Sequence, residues 1–230
     1  MEVSSKLTVG LIINPYAGIG GALALKGSDG ADIREKALSA GAEKKASKRA
    51  ETALKLLQPY KKQLHFVTAE NEMGADSLNT LGFSFESVYS AAESPSSPED
   101  TKKAVSAIIA HKVDILLFAG GDGTARDIYE MVPEQQLVLG IPAGVKIHSG
   151  VYAISPTAAG RVIEKILQGE LSSIHNADVM DIDEEAFRKG TVKARRFGEM
   201  SVPAELEYVQ AVKMGGKESD ELVLDDIAAE

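Results

Sequence analysis

One stretch near the middle of the chain decides the fold: Val113-Asp-Ile-Leu-Leu-Phe-Ala-Gly-Gly-Asp-Gly-Thr124. Its first seven residues are apolar except for one Asp, and they predict a buried strand. The glycines that follow end the strand, and we expect a helix over about residues 124–131. A strand that passes through a glycine-rich turn into a helix is typical of parallel α/β sheets.

The same alternation extends to both sides of this stretch. Further strands are predicted at residues 7–14, 63–68, 86–90 and 137–141. Further helices are predicted at residues 42–57, 73–81 and 156–168, and another starts at Pro98 with a buried stripe that runs to Ile109. We therefore expect an α/β domain over residues 1–176, with a Rossmann-like parallel sheet and helices on both faces.

Two of these helices have clear start signals. Ser97 is the predicted N-cap of one, with Pro98 at the first helical position and Asp100 three residues after the cap. This arrangement is typical of a capping box. Ser155 is the predicted cap of the other, which Gly169 ends.

The pattern changes after residue 176. Residues 179–182, 191–197 and 206–213 alternate like strands, while helix signals are absent until residues 219–230, which resemble the first turns of an amphipathic helix without a stop. We interpret residues 177–230 as the start of a β-rich second domain that this chain does not complete.

Composition excludes several classes of protein. The 230 residues carry a net charge of −9, which disfavours binding to nucleic acid or to an anionic membrane. No apolar run reaches the length of a membrane span. The chain has no cysteine, which excludes a disulfide scaffold, a Cys-ligated zinc site and a cysteine nucleophile, and fits a cytoplasmic location. Residues 178–230 hold 14 acidic and 7 basic side chains, so an anionic ligand is expected on the first domain.

Gly120-Gly-Asp-Gly-Thr124 is the sharpest chemical signal, because it lies where a parallel strand ends and a helix begins. Glycines let backbone N–H groups approach a phosphate, and the helix N-terminus adds partial positive charge. Asp122 is unexpected there, since a carboxylate repels phosphate. It could accept a proton from a hydroxyl, hold a magnesium ion, or only cap a tight turn.

Two other glycine-rich loops also follow strands. The first loop, Asn14-Pro-Tyr-Ala-Gly18, follows the first strand and continues into Gly20-Gly21. Residues 26–30 either continue this glycine-rich loop or form a plain surface loop. The second loop covers residues 144–150. Its Lys146, His148 and Ser149 could reach the crevice that we expect where the carboxyl ends of the parallel strands meet. A lone His is more often structural, so a structural role is the alternative for His148. The basic side chains at 44, 45, 48 and 49 are expected to form a solvated helix face.

The ordered set of motifs resembles the NAD kinase and diacylglycerol kinase superfamily. The individual residues within these motifs are similar to the AcoX-related branch of the ATP-NAD kinases. The motifs that carry this resemblance are Asn14-Pro-Tyr-Ala-Gly-Ile-Gly-Gly21, Leu25-Lys-Gly-Ser-Asp-Gly30, Gly120-Gly-Asp-Gly-Thr-Ala-Arg-Asp127, Gly144-Val-Lys-Ile-His-Ser-Gly150 and Asp178-Val-Met-Asp-Ile-Asp183.

The resemblance implies transfer of a phosphoryl group from ATP or polyphosphate to the 2′-hydroxyl of NAD, with a divalent metal, Mg²⁺ being expected. It implies Asp122 as the catalytic residue that faces this hydroxyl. The nucleotide-binding residues that we predict are Asn14, Gly18, Gly120, Gly121, Gly123 and Thr124. Small-molecule nucleotides are the expected partners, and a homo-oligomer is expected.

Two other functions remain open at this point. A lipid or diacylglycerol-type kinase shares the phosphate loop, although the acidic balance of the chain argues against a membrane substrate. A non-catalytic nucleotide-binding protein with the same fold is the other alternative.

Overall fold

The computed structural model describes residues 6–19, 38–91, 96–145, 147–170, 173–182, 194–205 and 208–210. Strands β1 to β7 are Leu7–Ile13, Leu64–Ala69, Phe85–Tyr89, Ile115–Gly120, Val138–Pro142, Ile174–Ile182 and Ala194–Pro203. Helices α1 to α5 are Ala46–Lys55, Ala75–Leu81, Pro98–Ala110, Asp122–Tyr129 and Pro156–Leu167. Up to α5 the elements follow the alternation that the sequence predicts.

Strands β1 to β5 form one parallel sheet in the order β3-β2-β1-β4-β5. The chain builds outward from β1 through β2 to β3 and then crosses to β4, on the other side of β1. The strand order therefore reverses between β1 and β4. In open parallel sheets, ligands bind outside the carboxyl ends of the strands at such a switch point.

The sheet carries helices on both faces. Helix α1 packs against both α2 and α5, and α3 packs against α4. Every residue of β4 is buried, as a central strand covered on both faces requires. Phe118 of β4 meets Tyr152 edge to face, with ring centroids 5.1 Å apart. The predicted Rossmann-like α/β fold is confirmed.

The two predicted helix starts are both present. The Ser97 hydroxyl accepts the Asp100 N–H, and the Asp100 carboxylate accepts the Ser97 N–H at 2.7 Å, which completes a capping box at α3. Ser155 caps α5 by accepting the N–H of Ala158 at 3.1 Å. Gly169 follows α5 with a positive φ of 72°.

A second, antiparallel sheet follows the α/β layers. Strands β6 and β7 pair along their whole length, from Ile174 with Pro203 to Ile182 with Ala194, and β6 packs against α4. The predicted start of a β-rich segment is thereby confirmed. The predicted strand at 206–213 and helix at 219–230 lie largely or wholly outside the described residues. The predicted domain boundary after residue 176 lies within β6 and stays a prediction.

In the described part of the chain, none of the helices combines the length and the apolar character that crossing a bilayer needs.

Candidate functional site

The ends of β1 and β4 bring two of the predicted loops together. The strands run in register up to Ile13 and Ala119, and the next amide, that of Asn14, donates to the Ala119 carbonyl at 2.9 Å. The Asn14 side chain then donates from Nδ2 to Thr124 Oγ1 at 3.0 Å and accepts the Tyr16 N–H at Oδ1 at 3.1 Å. One side chain thus turns the first loop and ties it to the first turn of α4. Residues 14–19 therefore lie side by side with the Gly120–Thr124 loop, as expected when both loops follow the carboxyl ends of parallel strands; residues 20–37 are outside the described part.

A third loop, which follows β5, packs backbone to backbone against these two. The Gly120 carbonyl accepts the N–H groups of Ala143 and Gly144, both at 2.9 Å. A Cβ atom on Gly144 would lie 2.6 Å from the Gly121 Cα, and one on Gly18 would clash with the Ala143 carbonyl oxygen. Gly18 also has a φ of +76°, which disfavours any other residue. Packing of the loops therefore accounts for glycine at 18 and 144.

Asp122 is the first residue of α4, but its carboxylate does not cap that helix. The N-cap is Gly121, and no side chain makes a capping hydrogen bond there. Instead, Asp122 Oδ2 accepts the backbone N–H of His148 at 2.9 Å and the His148 Nδ1 at 3.0 Å. Its Oδ1 accepts the backbone N–H of Ser149 at 3.0 Å and the Ser149 hydroxyl at 2.7 Å. The interpretation of Asp122 as a turn cap is therefore wrong.

The two residues that hold Asp122 differ in their surroundings. The His148 side chain is 45% exposed, whereas the side chain of Asp122 is 9% exposed and Ser149 is fully buried. The side of the carboxylate that is nearer to solvent is thus the side that His148 covers. The sequence predicted that His148 and Ser149 could reach the crevice, but it did not predict that both would bind Asp122.

Tyr152 is a residue of the site that sequence reasoning missed. Its hydroxyl donates to the Gly121 carbonyl at 2.6 Å, so it fixes the turn that leads into α4. Burial, together with the nearby charges of Asp122 and Asp181, raises the pKa of Tyr152 well above its ordinary value. The phenol therefore stays protonated and remains a donor. The only sequence signal for it was an aromatic residue just after the third loop.

An ion pair joins α4 to the second sheet beside the loop. Arg126 of α4 donates from Nη1 to Asp181 Oδ2 of β6 at 2.8 Å, and its guanidinium lies 5.7 Å from the ring centroid of Phe197 in β7. The space in front of Gly123 faces this pair, since a Cβ built on Gly123 would lie 3.9 Å from Asp181 Oδ2.

Two basic residues at the same edge correct an expectation from the sequence. Lys44 pairs with Glu72 at 2.7 Å and lies 4.6 Å from the ring centroid of Tyr16. Arg49 donates to the carbonyl of Pro142, at the end of β5, at 2.9 Å. Lys44 is therefore a partly buried residue that precedes α1, and Arg49, although exposed on α1, is tied to the carboxyl edge of the sheet.

The chain matches one protein-family model, which is described as the ATP-NAD kinase N-terminal domain, over residues 9–171. The chain belongs to the ATP-NAD kinase family. The matched segment contains all three loops and both residues that hold Asp122, but it ends before β6. A search of curated proteins gave no significant match.

The ATP-NAD kinase family implies ATP and NAD as substrates and a divalent metal ion. Among the residues that the structure describes, no cluster of three or more His, Asp or Glu side chains is arranged to hold a metal. Both oxygens of Asp122 accept hydrogen bonds from the protein, and Asp181 pairs with Arg126. The described residues thus do not fit a metal cage of their own. Mg²⁺ at phosphoryl-transfer sites commonly takes ligands from substrate phosphates and water.

Proposed function

We propose that the chain is an NAD kinase-like phosphotransferase that moves the terminal phosphoryl group of ATP, or of polyphosphate, onto the 2′-hydroxyl of NAD to give NADP. The observation that carries this proposal is the direction of the Asp122 carboxylate. In a chain of this family, it lies at the switch point of the sheet, does not cap its own helix, and is held in place by His148 and Ser149 of the loop after β5.

In the proposed reaction the 2′-oxygen of NAD forms a new bond to the terminal phosphorus. The bond from that phosphorus to its bridging oxygen breaks, so that ADP, or polyphosphate shortened by one unit, leaves. The hydroxyl proton passes to Asp122, which acts as general base and orients the attacking oxygen. The hydroxyl approaches Oδ2 from the exposed side, where it takes the place of the His148 imidazole.

The glycine loop supplies donors for the phosphates. The first amides of a helix lack intrahelical acceptors, and at α4 no side chain caps them. We assign these backbone contacts to residues 120, 121, 123 and 124, where Gly123 lets the ligand approach closely. Asn14 and Gly18 hold the neighbouring loop in place beside Thr124.

Lys44 and Arg49 add positive charge at the same edge of the sheet. Their present partners are Glu72 and the Pro142 carbonyl. A polyanionic donor such as ATP has phosphates enough to engage both the loop and these cations, and such charge stabilises a transferring phosphoryl group. An acidic protein of net charge −9 needs local cations of this kind to attract an anionic substrate.

The decisive test offers two acceptors to the same preparation. The protein is incubated with ATP and Mg²⁺ and either NAD or diacylglycerol in mixed micelles, and NADP and phosphatidate are quantified. We expect NADP and no phosphatidate. Phosphatidate alone would replace the proposal with a lipid kinase, and nucleotide binding without either product would replace it with a non-catalytic binding protein. Size-exclusion chromatography with light scattering tests the proposed homo-oligomer.

A further inference from the structure

Ser149 makes more contacts than its small side chain would suggest. It is fully buried, and its hydroxyl lies 2.7 Å from Asp122 Oδ1 and 2.8 Å from the Met180 carbonyl oxygen. The same hydroxyl oxygen accepts the Met180 N–H at 3.0 Å. Ser149 therefore lies between the Asp122 carboxylate and the backbone of β6.

The hydroxyl carries one proton for these two acceptors. Hydrogen bonds to an ionised acceptor are stronger than those to a neutral carbonyl, so the proton goes to Asp122. The Met180 N–H then completes the arrangement, because it donates to the oxygen whose own proton is directed at the carboxylate. Gly150 adds a second connection to β6, since its N–H donates to the Asp178 carbonyl at 2.8 Å.

We propose that Ser149 is a positioning residue for Asp122, and that through it β6 of the second sheet sets the direction of the carboxylate. This inference rests on the proposed function, in which Asp122 is the general base. It deepens that function by making the second sheet part of the catalytic apparatus, because Met180 lies beyond the segment that the family model matches.

The geometry explains why the positioning falls to Ser149 rather than to His148. The imidazole is half exposed and lies where the substrate hydroxyl approaches, so it leaves Oδ2 when substrate binds. The contacts of Ser149 are on Oδ1, the buried side, and they persist in that complex. Oδ1 is thus held from the buried side by Ser149, while Oδ2 keeps the backbone N–H of His148 and exchanges only the imidazole for the substrate hydroxyl.

The first experiment compares Ser149→Ala with Ser155→Ala in the full chain. Both changes remove one hydroxyl that makes a backbone hydrogen bond, but Ser155 caps α5 and does not touch Asp122. Because misplacement of a reacting group by about 1 Å costs up to about 100-fold, we expect Ser149→Ala to lower kcat about 10- to 100-fold. The KM for ATP should stay unchanged. Ser155→Ala should lower the Tm without changing kcat.

A drop in kcat that is no larger for Ser149→Ala than for Ser155→Ala would overturn the proposal. If Ser149→Ala does not fold, Ser149→Cys takes its place, since the slightly larger thiol leaves no cavity but is a weak donor. We then expect the same loss of kcat for a folded protein, and wild-type kcat for Ser149→Cys would overturn the proposal.

A double-mutant cycle with Asp122→Asn separates positioning from a structural role. If Ser149 acts through the carboxylate, Ser149→Ala lowers kcat in the wild-type background and hardly further in the Asp122→Asn background. If the two losses multiply independently, Ser149 does not act through Asp122, and the proposal is overturned.

A spectroscopic readout separates this inference from the proposed function. In protein labelled with ¹³C-aspartate, the carboxyl signal of Asp122 is the one that disappears in Asp122→Asn. We expect Ser149→Ala to shift that signal and Ser155→Ala to leave it in place. A wild-type chain that phosphorylates no NAD overturns the proposed function. Even then, the carboxyl signal tests whether Ser149 contacts Asp122. An unshifted signal overturns the positioning role, whether or not the wild type is active.

Discussion

The starts of α3 and α4 place the same residue type in two different roles. At α3, Asp100 lies three residues after the N-cap and completes a capping box with Ser97. At α4, Asp122 lies directly after the N-cap and makes no capping bond, because its carboxylate is held by residues 148 and 149. Asp100 stabilises its own helix, whereas Asp122 is fixed by a segment 26 and 27 positions further along the chain.

The surroundings of the two carboxylates explain the difference. Asp100 takes its hydrogen bonds from Ser97 and from Tyr89, which lie within 11 positions of it in the chain. Asp122 depends on the loop after β5 and, through Ser149, on β6. Local sequence can specify the first arrangement, while the second forms only when distant strands have paired. A helix-start Asp that serves another segment is therefore a candidate for chemistry.

The largest expected effect comes from Asp122→Asn. Asparagine keeps the size of the side chain but removes the general base, so kcat for NAD phosphorylation should fall about 10²- to 10⁴-fold. The amide nitrogen also faces donors, which should cost about 1–3 kcal/mol of unfolding free energy. Initial rates of NADP formation and urea denaturation measure the two effects. Asp100→Asn is the matched control, for which we expect wild-type kcat.

If Asp100→Asn and Asp122→Asn lower kcat to a similar degree, the comparison between the two helix starts fails. Both would then act through stability alone, and Asp122 would lose its catalytic assignment.

Tyr152→Phe sharpens the comparison by testing how the start of α4 is held from outside. Loss of the hydrogen bond to the Gly121 carbonyl should lower unfolding free energy by about 1 kcal/mol. Because the turn carries the phosphate contacts, kcat should also fall by about tenfold. Tyr60→Phe removes a hydroxyl that bonds Glu164 and Gln168, away from the site, and should lower stability alone. Equal kcat in both variants would show that the turn needs no support from Tyr152.

Ser97→Ala tests the other side of the comparison. It breaks the capping box of α3, so we expect a loss of about 1 kcal/mol in unfolding free energy, within the usual range for helix caps. The kcat should not change, because the hydrogen bonds of Ser97 go to Asp100 and Thr101 in the first turn of α3 itself. Thermal denaturation and the NADP assay check this pair of outcomes, and a loss of turnover in folded protein would contradict it.

The smallest effect is the pH dependence of that cap. Hydrogen bonding by Ser97, followed by that of Tyr89, lowers the pKa of Asp100 below its ordinary value of 3.8 despite partial burial. The unfolded chain therefore binds the proton more readily, and the contribution to stability is lost as the pH falls below about 4 toward the folded pKa. Urea denaturation between about pH 2.5 and pH 6 should show a shallower acid loss in Ser97→Ala than in wild type. Parallel curves would contradict the assignment.

The sequence predicts what depends on neighbours in the chain. Ser97, Pro98 and Asp100 specify the start of α3 within four residues, and the structure has the whole capping box. The apolar run before Gly120 likewise predicts a buried strand, and alternation with helices predicts that the sheet is parallel. With the sheet parallel, the loops after β1 and β4 must share one edge.

The contacts of Asp122 could not be predicted in the same way. Its partners His148 and Ser149 have no periodic or spacing signal, and their direction depends on how the chain turns back after β5. From the sequence, Tyr152 is indistinguishable from an ordinary core aromatic residue. Its hydroxyl meets the Gly121 carbonyl only because the fold brings together two segments that are far apart in the chain. The pair of Arg126 with Asp181 requires β6 to pack on α4, which no local pattern specifies.

The contact between the backbones of Gly121 and Gly144 has a consequence for protein engineering. Each loop at this edge occupies space that its neighbours leave empty: Gly144 lies against Gly121, and Gly18 lies against Ala143. Exchanging one loop for the corresponding loop of a relative would bring side chains or a new backbone path into that space. Specificity in this scaffold is therefore best transplanted as a set of three loops, after β1, β4 and β5, rather than one at a time.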